Sequence, residues 1–164
     1  MAPITETIEI NRSPDDVFAY VEDLTRHGEW QEGIVSVTLQ TDGPTHVGTR
    51  AVEVRRIGGR EQTQTYEITE HDPPRRFGFR GVDGSIRAVG GGTVEPLDGG
   101  ARSRLTLDID FEGHGMGKLM LPMVRREAGK QIAKDQQKLK QQLESGASGA
   151  AAAPAAPEAA PPAS

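Results

Sequence analysis

Six strand-like segments follow one another between residues 34 and 112, and each gap between them has the chemistry of a turn. The segments run over 34–41, 47–57, 60–71, 75–81, 85–96 and 102–112. The gaps carry Asp42-Gly43-Pro44, Gly58-Gly59, Asp72-Pro73-Pro74, Asp83-Gly84 and Asp98-Gly99-Gly100. Short connections of this kind join antiparallel strands as hairpins. Because no helix-length segment separates the strands, an antiparallel sheet is predicted and a parallel doubly wound sheet is disfavoured.

The segment before these strands predicts one more strand and a short helical region. Residues 3–11 alternate apolar and polar side chains, which is typical of a half-buried strand. The sequence Ser13-Pro14-Asp15-Asp16 then supplies an N-cap, a proline suited to the first helical turn, and two carboxylates at the positive end of the helix dipole. An apolar helical stripe follows, and a second short helical turn is predicted over Leu24–Trp30.

One long helix is predicted over residues 115–144. Apolar residues recur there at every third or fourth position, and basic residues cover much of the remaining surface. Pro122 has no backbone N–H, so the helix is expected to kink or restart there. The sheet and this helix each have an apolar face to bury. We therefore predict an α+β architecture: a curved seven-stranded antiparallel sheet wraps around the long C-terminal helix, with two short helices after strand 1.

Length and composition limit the number of domains and the classes of partner that the chain can have. The chain has 164 residues, and the prediction is one domain over residues 1–144 followed by a disordered Ala/Pro-rich tail over 145–164. A formal net charge of −5 argues against nucleic acid as a partner. The absence of cysteine excludes disulfides and thiolate chemistry. With no secretory signal and no apolar run of transmembrane length, we expect a cytoplasmic protein, as a monomer or weak homodimer.

Several motifs together resemble a known superfamily. They are Ile8-Glu9-Ile10, the helix start at Ser13-Pro14-Asp15-Asp16 with Val17-Phe18-Ala19-Tyr20-Val21, then Leu24, Trp30, Val47-Gly48-Thr49-Arg50 and Lys138-Leu139-Lys140. Over about residues 3–144 the chain resembles the helix-grip (SRPBCC) superfamily, which includes START-like lipid carriers and polyketide cyclases/dehydrases. The resemblance implies a cavity between the sheet and the C-terminal helix that holds a hydrophobic molecule. It does not fix the function, because this fold hosts carriers, enzymes and regulators.

The period of two along each strand predicts which side chains line such a cavity. If the apolar side of each strand faces inward, the inward residues are Leu105, Leu107, Ile109 and Phe111; Phe77 and Phe79; Tyr66 and Ile68 with Gln64 and Gln62; and Val52 and Val54 with Arg50. Arg50, Gln64 and Tyr66 are then the candidate polar groups of an apolar lining. The alternatives are solvated strand ends for Arg50 and Gln64, and plain core packing for Tyr66.

The remaining ligand-binding candidates each have a structural alternative. Trp30 caps the pocket or anchors the core, and Met116, Met120 and Met123 form a ligand floor or pack in the core. His114 lies near the expected cavity mouth or is a solvated loop histidine.

Two glycine-rich stretches also have alternative interpretations. Gly90-Gly91-Gly92 leaves space beneath the sheet or simply bends it. The segment around Gly113–Gly117 is a hinge beside the mouth or a loose loop, and its spacing does not match a dinucleotide-binding loop.

Three functions remain open at this point, and the catalytic residues are unknown. The four histidines show no metal-binding spacing, so neither a metal nor another cofactor is expected. The first hypothesis is binding of a small hydrophobic molecule, such as a lipid, a quinone or a polyketide-like compound. The second is a polyketide-type cyclase or aromatase, for which Arg50, Tyr66 and His114 are the candidates. The third is an interaction or regulatory protein without a ligand, docking a partner through the basic segment Lys130–Lys140 or the tail.

Overall fold

The computed structural model describes residues 2–57 and 59–146, so most of the predicted tail, from residue 147 onward, lies outside the described residues. The strands are β1 (Ile4–Ile10), β2 (Ile34–Leu39), β3 (Arg50–Ile57), β4 (Arg60–Asp72), β5 (Arg76–Gly81), β6 (Ile86–Leu97) and β7 (Arg102–Gly113). The helices are α1 (Pro14–Glu22) and α2 (Leu121–Glu144), with 3₁₀ turns over Leu24–Glu29, Asp98–Gly100 and Gly115–Met120.

The seven strands form one antiparallel sheet in the order β1-β7-β6-β5-β4-β3-β2. Each strand from β2 to β7 therefore pairs with its neighbour in the chain, as the turn residues predict, and β1 pairs with β7 at the far edge. The predicted helix-grip architecture is confirmed: the sheet is curved, the short helices follow β1, and the long helix closes the fold.

The three glycines of β6 stand where a side chain would collide with neighbouring atoms. A Cβ atom on Gly91 would lie 2.3 Å from the carbonyl oxygen of Phe77. A Cβ atom on Gly92 would lie 2.4 Å from a carbon of the Phe77 ring, so this ring occupies the space that a side chain would need. Close backbone and ring approach, rather than a void under the sheet, explains glycine at these two positions.

Helix α1 begins as its capping residues predict. The Ser13 hydroxyl accepts a hydrogen bond from the backbone N–H of Asp16 at 3.3 Å, and Pro14 stands in the first turn. The helix buries its apolar stripe in the main core, which includes the fully buried Val17 and Tyr20. Burying each such side chain contributes roughly 1.5–3 kcal/mol.

The C-terminal helix restarts at its proline, as predicted. A 3₁₀ turn covers Gly115–Met120, and α2 then begins at Leu121 with Pro122 in the first turn, where a missing N–H leaves no bond unmade. The apolar stripe of the helix splits into two halves. Leu139 and Leu143 are fully buried against β1 and its neighbours, whereas Met116 and Met123 are 78% and 59% exposed.

The core is consequently filled only where the C-terminal half of α2 meets the sheet. One cluster joins α1, β1, β6, β7 and the end of α2, and a smaller one gathers around Leu24, Ala51 and Ile68. Along the N-terminal half of α2, the helix and the inner face of the sheet do not close upon each other.

Candidate functional site: an internal cavity between sheet and helix

A cavity of about 1050 Å³ lies between the inner face of the sheet and the N-terminal half of α2. Its wall is mainly apolar and includes Leu24, Ile68, Phe79, Leu107, Ile109 and Ile132. Pockets for small organic ligands usually measure roughly 300–1,000 Å³, with apolar walls and a few polar groups. This cavity, at about 1050 Å³, is slightly larger than the top of that range.

The cavity opens to solvent at the end where α2 begins. Val35, Ile57, Met120 and Met123 line the cavity and are also 47–59% exposed, so they form the rim of its mouth. They come from β2, the tip of the β3–β4 hairpin, the end of the 3₁₀ turn before α2, and the first turn of α2. An apolar rim offers a hydrophobic ligand a continuous path from the surface to the interior.

The structure corrects the predicted orientation of β3. Its pairing places Ala51 opposite Tyr66, Glu53 opposite Gln64 and Arg55 opposite Gln62, so the odd-numbered residues of β3 face the cavity. Val52 and Val54 therefore face outward. The prediction was wrong because it assumed that the more apolar side of every strand faces the interior, whereas β3 directs a charged pair inward.

Arg50 lies on the outer face with Val52 and does not line the cavity. Its Nε donates to Glu67 at 2.8 Å, and Arg80 from β5 reaches the other oxygen of the same carboxylate at 3.1 Å. Hydrogen bonds from Arg50 and then Arg80 lower the pKa of Glu67. Arg50 is therefore part of an exposed cross-strand ion cluster rather than a cavity group.

Several of the polar groups that do line the cavity form a hydrogen-bonded network. Arg55 donates through Nε to Glu53 at 2.7 Å and through Nη2 to the side-chain oxygen of Gln31 at 2.7 Å. Asp135 of α2 accepts from the backbone N–H of Glu32 at 3.0 Å and from the side chain of Gln131 at 2.8 Å. The network thus connects the loop after Trp30 with β3 and with α2. Burial raises the pKa of Asp135, opposed by these two hydrogen bonds.

Two aromatic side chains line the cavity while their polar atoms are enclosed in the wall. The Tyr66 hydroxyl and the Trp30 indole N–H are buried and have no hydrogen-bond partner among the described residues. Desolvation, and then the nearby charge of Glu53, raise the pKa of Tyr66. The His27 ring lies 5.3 Å from the Trp30 ring, and burial lowers the pKa of His27. Tyr66 and Trp30 therefore offer the cavity their rings.

The predicted site residues divide into two groups. Those that the structure places around the cavity are Trp30, Gln64, Tyr66, Phe77, Phe79, Met120 and Met123. His114 does not line it: its side chain is 46% exposed and lies 3.8 Å from Glu112. Met116 does not line it either, because the 3₁₀ turn before α2 directs it into solvent.

Sequence reasoning missed the charged residues of the cavity. Glu53 and Arg55 alternate with Val52 and Val54, so the predicted orientation of β3 placed them on the outer face, and Asp135 was not among the candidates. His71 was missed for a different reason, because an irregularity in β4 sets the direction of its side chain. Glu22, its partner from α1, was missed with it. The register of β3 against Tyr66 could have identified Glu53 and Arg55, had the pairing been known.

Comparison of the sequence with known protein families identifies one that matches the whole of the described fold. The profile of the family described as polyketide cyclase/dehydrase and lipid transport matches residues 1–144. The chain belongs to this family. Within the described residues, no helix is long and apolar enough to cross a membrane.

The relatives with curated sequences carry no assigned activity. The chain is 27% identical over 112 residues to the uncharacterized proteins MT1597 and Rv1546 of two Mycobacterium tuberculosis strains, an alignment that covers 66% of this chain and 77% of each of them.

Solved structures share the fold at low sequence identity. A Thermus thermophilus protein, TTHA0849, superposes with a TM-score of 0.73 at 18% identity, covering 88% of this chain and 99% of that one. A START superfamily protein of Mycobacterium smegmatis gives 0.72 at 17% identity, with 88% and 99% coverage. The Zhui aromatase/cyclase of Streptomyces sp. R1128 gives 0.68 at 15% identity, with 88% and 92% coverage.

Proposed function

We propose that the protein binds a small hydrophobic molecule, of the lipid, quinone or polyketide-like classes, in the cavity between its sheet and α2. The observation that carries this proposal is an apolar cavity of about 1050 Å³ whose mouth is rimmed by exposed Val35, Ile57, Met120 and Met123. Exposed apolar side chains that gather around one cavity, rather than lying scattered over the surface, are typical of ligand-binding grooves. The names of the family and of its structural relatives point in the same direction.

The wall also suggests how one ligand would be preferred over another. Transfer of apolar surface from water contributes about 25 cal/mol per Å², which gives affinity without direction. Orientation would come from the few polar groups that reach the cavity, chiefly Gln64 and the Glu53–Arg55 pair. The proposed ligand is therefore largely apolar, with a polar group that lies toward β3 and β4.

The test is a panel of fatty acids, naphthoquinones and polyketide-like aromatic ketones, assayed by native mass spectrometry and thermal unfolding. A ligand present at about 100 times its Kd stabilises the native state by about 2.7 kcal/mol, which is a rise in Tm of roughly 5–15 °C for a domain of this size. A panel with no retained mass and no change in Tm would leave the ligand-free interaction role as the remaining hypothesis.

A matched pair of variants locates the ligand. Ala128 lines the cavity from α2, whereas Lys134 lies exposed on the same helix. We expect Ala128→Phe to abolish the ligand-induced rise in Tm and Lys134→Phe to keep it. Equal loss in both variants would mean that the ligand binds elsewhere.

A polyketide-type cyclase or aromatase is the second candidate function. Polar groups inside the cavity favour it, because cyclisation needs acid or base groups beside the bound chain. Of the three residues that the sequence suggested for this role, Arg50 and His114 lie outside the cavity and the Tyr66 hydroxyl is enclosed in the wall. Any catalytic role would therefore fall to other residues.

A further inference from the structure

A β-bulge turns His71 toward the cavity. In the pairing of β4 with β5, Ile68 stands opposite Phe79 and His71 stands opposite Phe77, with a register shift between Ile68 and Glu70. The two phenylalanines are two positions apart and both line the cavity, whereas Ile68 and His71 are three positions apart and also both line it. Regular alternation would have placed His71 on the outer face. Bulges that redirect a side chain in this way are over-represented beside active sites.

Glu22 holds the redirected imidazole in place. Its carboxylate oxygen Oε2 lies 2.5 Å from His71 Nε2, and the side chains are 28% and 17% exposed, respectively. Glu22 is the last residue of α1, and it also lines the cavity. The ring of Phe18 lies 5.8 Å from the imidazole and restricts it from another side. Two side chains of α1, an element distant in sequence from β4, thus fix one orientation of the histidine.

This arrangement leaves the second ring nitrogen available. Because the carboxylate accepts a hydrogen bond from Nε2, the neutral imidazole carries its proton on Nε2 and a lone pair on Nδ1. Within residues 2–57 and 59–146, His71 Nδ1 makes no hydrogen bond. The atom is also not fully buried, unlike the Trp30 indole nitrogen and the Tyr66 hydroxyl oxygen. An accessible basic nitrogen, on a ring that is oriented by a carboxylate and lines an apolar cavity, has the geometry of a general base.

We propose that His71 is a general base for carbon-bound protons of molecules held in the cavity, and that Glu22 is its positioning residue. The inference rests on the proposed ligand-binding function. In the step, Nδ1 takes a proton from a carbon beside a carbonyl group, and the C–H electron pair moves into an enolate. The Glu22 carboxylate stabilises the imidazolium that forms. Return of the proton to the same carbon or another one completes an exchange or isomerisation that needs no further reactant.

The probe is 5-nitrobenzisoxazole, a small neutral aromatic compound that opens in a single base-catalysed step. The base removes the C3 proton, the N–O bond breaks, and a coloured cyanonitrophenolate is released without any oxidant or reductant. We expect saturable turnover by the wild type. His71→Gln should lower kcat about 100-fold, which is within the usual range for a general base. His46→Gln, at an exposed loop position, is the control and should keep the wild-type rate.

The Glu22→Gln variant separates positioning from structure. It retains a hydrogen-bonding side chain of the same size but removes the charge that stabilises the imidazolium. We expect kcat to fall about tenfold while KM stays within about twofold, since Glu22 acts in the transition state. A rise in KM with unchanged kcat would contradict the positioning role.

Two outcomes separate this inference from the function on which it rests. Binding of the probe, measured by displacement of an apolar dye, together with His71→Gln turnover within about twofold of wild type would overturn the base and leave the ligand cavity intact. Absence of binding for the probe and for the whole ligand panel would overturn both.

A nitrogen-15 spectrum of the His71 ring gives a readout that does not depend on turnover. The proposal requires that the neutral ring carries its proton on Nε2 and that the Nδ1 resonance moves when any member of the panel binds. A neutral ring with its proton on Nδ1, or an Nδ1 resonance that does not respond to a bound ligand, would overturn the proposal.

Discussion

Arg50 and Arg55 lie on the same strand and experience opposite environments. Arg50 is half exposed and shares Glu67 with Arg80 on the outer face. Arg55 lies inside, paired with Glu53, which is only 7% exposed. The exposed cluster is screened by water, whereas removal of the inner cation would leave a buried carboxylate without its partner.

We therefore expect unequal effects from the same substitution at the two positions. Arg55→Met should lower the free energy of unfolding by about 2–4 kcal/mol, and Arg50→Met should change it by less than about 1 kcal/mol. Urea denaturation of both variants measures the difference. Equal losses would mean that the β3 register described above is incorrect.

Asp135 links stability to pH in a direction that can be calculated. Burial raises its folded-state pKa above the ordinary value of 3.8, so the native state binds more protons than the unfolded chain and stability falls as pH rises through this interval. Asp135→Asn keeps an oxygen for both hydrogen bonds and removes the titration. The stability of the variant relative to wild type should be higher at pH 7 than at pH 3.5. A difference that is constant with pH would contradict the raised pKa.

At the scale of the elements, the lack of room for a Cβ atom explains glycine in β6. We expect Gly91→Ala to lower stability by about 1–3 kcal/mol, because its Cβ atom would lie 2.3 Å from the backbone oxygen of Phe77. Gly129→Ala in α2 is the control. Its Cβ atom would be no closer than 4.0 Å to Ile4, and alanine is favoured over glycine by about 1 kcal/mol within a helix. Thermal unfolding should therefore show opposite changes in Tm.

Elements whose boundaries depend on local chemistry were predictable from the sequence. The cap at Ser13 and the restart at Pro122 follow from backbone hydrogen bonds within one turn of the chain, and the hairpins follow from their turn residues. The direction of a side chain within a strand depends instead on pairing with a distant strand. This is why Arg50 was assigned to the wrong face and why the bulge before His71 went undetected.

Over the whole molecule, α2 packs tightly against the sheet along only part of its length. Leu139 and Leu143 fix the end of α2 in the core, while the start of the helix stands off the sheet and leaves the cavity between them. The sequence predicted the apolar stripe along this helix but not its division, because both halves have the same periodicity. Whether such a stripe packs against the sheet or borders an open cavity depends on the volume that the opposing strands supply.

Trp30 permits the most direct test of ligand binding, because it is the only tryptophan in the chain and it lines the cavity. The measurement is a titration of its fluorescence with 2-methyl-1,4-naphthoquinone, a neutral apolar quencher, in wild type and in Ala128→Phe. We predict saturable quenching in the wild type that is lost when phenylalanine fills the cavity. Quenching that rises linearly and equally in both proteins, as for free N-acetyltryptophanamide, would contradict an internal ligand site.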